Sequence, residues 1–282
     1  MLCFLYVIAL TATLGLIASL LEPVLPPRAP RRWLWCAAIV LSMTIPALYR
    51  ARHNVALEGG WAAITSYDVI LIQLWSKVTL ALVVWAAVSA LLVAYVVHRA
   101  RRQRRGPAVV DGVHVVVTDR LGPATTGFWR ARVLVPRWVL ELPAMQRRYV
   151  LRHEEEHRRT HDGRLLFLTS LTLAVVPWNI ALWWLLRRLA LAIEIDCDNR
   201  VVAALGHPQR YGELLLRVAE QGGRGPRLQP GFVGGMGTLE RRLRALVAPA
   251  ALSRTLRYVL PVIALVLLLI ILAVPHPVLG AH

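Results

Sequence analysis

The sequence predicts a mainly α, integral membrane protein: four transmembrane helices, an α+β domain on the cytoplasmic side between the third and the fourth, and a membrane-associated helical hairpin within that domain. Composition is the first observation behind this. Of the 282 residues 57% are hydrophobic and the mean hydropathy is +0.53, whereas soluble domains are nearer half apolar. The second is four apolar runs close to the roughly 20 residues that cross a bilayer. The third is the placement of charge. The formal net charge of +17 comes almost wholly from arginine, since Lys77 is the only lysine, and the arginines cluster beside the apolar runs. A soluble chain with a pI of about 11.3 would suggest nucleic acid. Arginines that follow membrane edges argue against direct nucleic-acid binding and make the lipid bilayer the expected partner.

The spans follow in order. Leu2 to Leu21 carries no charge, and without a basic leading segment or small-residue cleavage site it reads as a retained helix. Trp33 to Leu48 is short, with Trp33, Trp35 and Tyr49 suited to interfaces. Val69 to Val97 is long enough to span with tilt, and Leu256 to Val274 is the fourth span. Arg28, Arg31 and Arg32 in the first connection, Arg99 to Arg105 after the third span and Arg254 and Arg257 before the last predict cytoplasmic ends. Both termini then lie outside, and Arg99 to Arg254 is a cytoplasmic domain of a multi-pass cell-membrane protein. Cys3, Cys36 and Cys197 are too few and too scattered for a disulfide framework.

Within the domain, Val109 to Thr118 is β-branched and reads as a strand or hairpin. Gly122-Pro123 marks a turn, and Gly127 to Pro136 reads as a second strand. Pro143 opens a helix. Leu165 to Ile193 is apolar enough to be a span, but Pro177-Trp178-Asn179 breaks it into halves too short to cross alone. This region therefore predicts the membrane-associated hairpin. Pro226 to Gly237 reads as a loop, and Leu239 to Val247 as a short basic amphipathic helix.

The chemistry resides in Arg152-His153-Glu154-Glu155-Glu156-His157. Histidines four apart share a helix face and can reach one metal ion, while the intervening Glu154 can serve as general base to a metal-activated water. A catalytic zinc takes a third protein ligand and keeps one position open. The best candidate is Glu194, which is expected to open a helix after the hairpin. Asp198, one turn on, is expected to hydrogen-bond a ligand histidine. Asp162 is expected either to orient a ligand or to pair with Arg158. A site shared by His153, His157 and Glu194 requires the hairpin to return to its starting side. Glu155 and Glu156 are expected to face solvent. His161 is a weaker third ligand, lying about 6 Å further along the helix without the preceding glycine turn of three-histidine sites. Cys197 reads as a packed thiol, although thiolate suits zinc. His207, before Pro208, is either a surface residue or an oxyanion donor.

The order of spans, strand pair, His153-Glu-x-x-His157, Pro177-Trp178-Asn179 hairpin, Glu194-Ile-Asp-Cys197-Asp198 and last span resembles the membrane zinc peptidases of the BlaR/MecR type, the bacterial β-lactam sensor-transducers. The resemblance implies a zincin-like metallopeptidase domain with His153, His157 and Glu194 as Zn2+ ligands, Glu154 as catalytic acid/base and Asp198 behind the ligands. It also implies a helix-turn-helix repressor of the BlaI/MecI kind as protein substrate, with the Gly127 to Pro136 strand as the edge that pairs with it. Those sensors carry a penicillin-binding domain with Ser-x-x-Lys after the last span. Here Pro275 to His282 follow, and Leu74 stands three residues before Lys77. An inducing signal is thus expected through the membrane helices, the Arg50 to Asp68 connection or a partner protein. The alternatives are a quality-control protease resembling the HtpX/Ste24 group and a non-catalytic signalling protein with a structural zinc site.

Overall fold

A computed structural model describes residues 2–26, 29–56, 83–91, 94–95, 98, 104–119, 122–222, 236–247 and 253–273. Among these, α1 (Leu2–Leu21), α2 (Arg32–Ala56), α3 (Arg137–Leu140), α4 (Ala144–Thr160), α5 (Asp162–Ser170), α6 (Thr172–Val175), α7 (Ile180–Leu205), α8 (Pro208–Gly222), α9 (Met236–Val247) and α10 (Arg254–Ala273) accompany four strands. Among the described residues two stretches are long and apolar enough to cross a membrane, Tyr6–Val24 with hydropathy 1.9 and Arg254–Ile271 with hydropathy 2.1; Arg32–Leu48 is apolar but shorter. The expected span Val69 to Val97 lies largely outside the described residues, and of it 83–91 and 94–95 are helical. The loop expected at Pro226 to Gly237 also lies largely outside them.

The strands are β1 (Arg104–Val110), β2 (Val113–Thr118), β3 (Ala124–Thr126) and β4 (Arg132–Pro136), in the order β1-β2-β4-β3. β1 and β2 form an antiparallel hairpin around Asp111-Gly112, where φ is 48° and 79°. Two positive φ values favour Asp-Gly in a turn that matches the strand twist. β4 runs parallel to β2 and antiparallel to β3. The strand expected at Gly127 to Pro136 therefore begins at Arg132 and lies inside the sheet. Among the described residues the edges are β1 and β3, and β4 lies between β2 and β3, so the edge expected on Gly127 to Pro136 is not available.

Two cores share one helix. The first joins Leu10 and Leu14 of α1, Trp35 and Ile39 of α2 and Leu182, Leu185, Leu186 and Leu189 of α7. The second joins the sheet valines, Tyr149 and Leu151 of α4, Cys197 and Val201 of α7 and Tyr211 and Leu214 of α8. Asn179 starts α7: its side chain accepts the Leu182 N–H at 3.2 Å and donates to Thr11 Oγ1 at 2.9 Å. With 26 residues, α7 is about 39 Å long. Glu194 thus lies well inside a continuous helix instead of opening one. The change from leucines to acids at that point changes what surrounds the helix but includes no backbone breaker.

Candidate metal centre

Pro143 precedes α4, and the helix ends at His161, whose left-handed φ of 56° turns the chain into α5. His153 and His157 project from one face of α4, and their Nε2 atoms lie 3.2 Å apart. Glu194, from the middle of α7, places Oε2 3.5 Å from His153 Nε2 and Oε1 3.7 Å from His157 Nε2. Two donors each bound to a tetrahedral zinc lie about 3.3 Å apart, so this donor set fits one ion.

The far side of each imidazole is also occupied. His157 Nδ1 is 2.9 Å from Asp162 Oδ2. His153 Nδ1 is 3.0 Å from the Tyr211 hydroxyl, which donates to Asp198 Oδ1 at 2.7 Å. A ligand Nε2 requires the proton on Nδ1, and Asp162 Oδ2 and the Tyr211 hydroxyl oxygen stand where they can accept it. Asp198 itself lies 3.4 Å from His153 Nδ1, so Tyr211 carries the closer contact. Asp162 pairs not with Arg158 but with Arg32 Nη1 at 2.5 Å and Arg200 Nη2 at 3.5 Å.

Glu154 is buried, and the Thr125 hydroxyl on β3 lies 3.1 Å from its Oε2 and 2.8 Å from its carbonyl oxygen. The catalytic candidate is thereby tied to the free sheet edge. Glu155 and Glu156 do not face solvent. Both are buried: Glu155 pairs with Arg158 at 2.6 Å and Arg159 at 3.1 Å, and Glu156 with Arg152 at 2.7 Å and Arg200 at 3.0 Å. Neutralising partners on α4 and α7 permit that burial. His161 caps the helix and is exposed, and His207 is exposed in the turn before α8.

Cys197 is fully buried and belongs with His153 and His157 to one group of potential ligands. Its Sγ lies 3.3 Å from His153 Nδ1 and 3.3 Å from the His153 carbonyl. The thiol also interacts with the His157 side chain, so it neighbours both histidines.

Arg242 was not legible as a site residue, nor were Tyr211, Thr125 and Arg32. Arg242 Nη1 is 3.0 Å from Glu194 Oε2, while its Nε and Nη2 donate to Asp198 Oδ2 and Oδ1 at 2.8 and 2.7 Å. Burial opposes the charge on Glu194, yet Arg242 and the two histidines hold its carboxyl well below the ordinary range. Burial likewise opposes the charge on Asp198, and Arg242 and His153 bring it down to about 2. A signal for two of these lies in periodicity. Arg242 interrupts the apolar stripe Leu239, Leu243, Leu246, and Tyr211 heads the stripe Leu214, Leu215, Val218; a polar group on a core stripe must find a buried partner.

The chain is similar to the "Regulatory protein BlaR1" of Bacillus licheniformis, 28% identical over 97 residues, which cover 34% of this chain and 16% of that protein. The match thus spans a small part of that relative. No solved structure matches. The sequence model described as BlaR1 peptidase M56 matches residues 34–246, a stretch that runs from α2 through α9 and takes in every residue of the histidine–carboxylate cluster. On that match, across more than half its length, the chain belongs to the BlaR1 peptidase M56 family, and the family indicates a metallopeptidase.

Proposed function

We propose that the protein is a membrane-embedded zinc endopeptidase that cleaves a BlaI/MecI-like repressor at a cytoplasmic-facing site. The observation that carries this is the approach of two Nε2 atoms to 3.2 Å with Glu194 oxygens at 3.5 and 3.7 Å. His153, His157 and Glu194 hold the zinc. When bound, it supplies Lewis acidity for water activation and for the scissile carbonyl. Glu154 accepts a proton from the attacking water and returns it to the leaving amine. An extended substrate segment adds to the free edge of β3, beside Thr125 and hence beside Glu154.

Orientation follows from the charged ends. The Arg31 and Arg32 N–H groups donate to Asp196 at 3.1 and 3.0 Å, and Arg188 on α7 pairs with Glu22 at the end of α1 at 2.5 Å. The arginine-rich first connection thus lies at the same end of the helices as the metal cluster. The positive-inside bias makes that end cytoplasmic, with both termini outside in a multi-pass arrangement.

The test is cleavage of a candidate repressor with wild type and Glu154→Ala. The variant should keep its zinc and lose cleavage by a factor of about 100 or more; undiminished cleavage would remove Glu154 from this role. Cleavage of misfolded membrane proteins in preference to a repressor would move the assignment to quality control of the HtpX/Ste24 kind. Cys197 supports a second reading, a closed structural site with four protein ligands. What favours the open site is that Glu194, and not the thiol, is the group placed against both Nε2 atoms.

A further inference from the structure

We infer that Arg242 is a positioning residue for the metal centre: it holds Glu194 and Asp198 in place, and through it the docking of α9 sets how tightly the centre grips its metal. This rests on the zinc reading above. Arg242 is only 15% exposed and pairs with carboxylates that are 8% and 1% exposed. Its bidentate fork to Asp198 fixes both oxygens of that carboxylate. Asp198 in turn holds Tyr211, which meets His153 Nδ1. The remaining nitrogen holds Glu194 Oε2, the oxygen that faces His153 Nε2. One guanidinium therefore constrains one candidate ligand directly and another through Asp198 and Tyr211.

That guanidinium comes from neither helix of the metal cluster. α9 joins the second core through Leu239, Leu243 and Leu246. It fits closely over α8, where a Cβ at Gly212 would meet Leu243 Cδ2 at 3.4 Å. The next described helix in the chain is α10, one of the two candidate spans. Lifting α9 away from α8 would withdraw Arg242 and release both carboxylates together.

Charge and geometry make opposite predictions here. A guanidinium acting only as a nearby positive charge disfavours a bound cation, so its removal would tighten zinc binding. A guanidinium acting as a clamp does the reverse. Lysine keeps the charge and loses the fork. The experiment is zinc affinity of the full-length protein in detergent, by competition with a chromophoric chelator, for wild type, Arg242→Met, Arg242→Lys and Leu243→Ala, each checked for folding by circular dichroism. Visible absorption of the cobalt(II) forms reports ligand geometry. The expected result is a loss of about 10- to 100-fold for both Arg242 variants, an altered cobalt spectrum, and a smaller loss for Leu243→Ala, which keeps Arg242 but loosens α9. Affinity equal to or tighter than wild type in Arg242→Lys and Arg242→Met overturns the clamp. Unchanged affinity in Leu243→Ala overturns the role of α9. If wild type itself binds no zinc, the peptidase reading fails first, a result distinct from either of these.

Discussion

His153 has two neighbours that could each complete a metal site, the Glu194 carboxylate at Nε2 and the Cys197 thiol at Nδ1. Tyr211 and Cys197 both border Nδ1, and in the proposed site the proton sits on Nδ1 and the ligand nitrogen is the one that faces Glu194. Replacing Cys197 by Ala should leave one equivalent of zinc and change cleavage by no more than a few-fold, while lowering stability by about 1 kcal/mol from the small cavity. Metal analysis checks it, and loss of zinc in that variant would make the thiol a ligand. His153, Glu154 and His157 are legible in the sequence because they occupy one turn of one helix. Glu194 and Asp198 are legible as acids at helical spacing after an apolar run. Arg242, Tyr211, Thr125 and Arg32 come from four other segments, and only tertiary packing brings them to the histidines.

Among the elements, α7 separates prediction from structure most clearly. The apolar run and its Pro177-Trp178-Asn179 break are evident in the sequence, and the break stands where α6 gives way to α7. The continuity of α7 past Ile193 is not evident, because a change from leucine to glutamate reads as a boundary when only hydropathy is followed. Glu155 and Glu156 mislead similarly, since partners that allow a carboxylate to be buried lie on another helix in one case and along the same helix in the other. The packing of α1 on α7 makes its own prediction. A Cβ at Gly15 would overlap the Trp184 ring and lie 2.8 Å from Leu185 Cδ1. Gly15→Leu should therefore splay the two helices and cost about 1–3 kcal/mol. This is measurable as a lower unfolding midpoint in detergent, and an unchanged midpoint would deny that α1 packs there.

For the whole molecule, the proposed site would couple metal to fold. His153 and His157 come from α4 and Glu194 from α7, whose other half lies in the core formed with α1 and α2. A metal held by both helices should stabilise more than the local site. At zinc a hundredfold above its Kd, folding should gain about 2.7 kcal/mol, seen as a rise of several degrees in Tm that a chelator reverses and His157→Ala abolishes. A Tm indifferent to zinc and chelator would contradict that coupling. The mainly helical architecture and the arginine-flanked apolar runs follow from composition and charge. The sheet order does not, because the parallel pairing of β2 with β4 joins segments that no local pattern relates.

The most direct measurement is zinc X-ray absorption of the metal-loaded protein. The account predicts a first shell of nitrogen and oxygen alone at about 2.0–2.2 Å, with multiple scattering from two imidazoles, and loss of one oxygen donor in Glu194→Ala. A sulfur scatterer at about 2.3 Å, or a shell unchanged by Glu194→Ala, would contradict it.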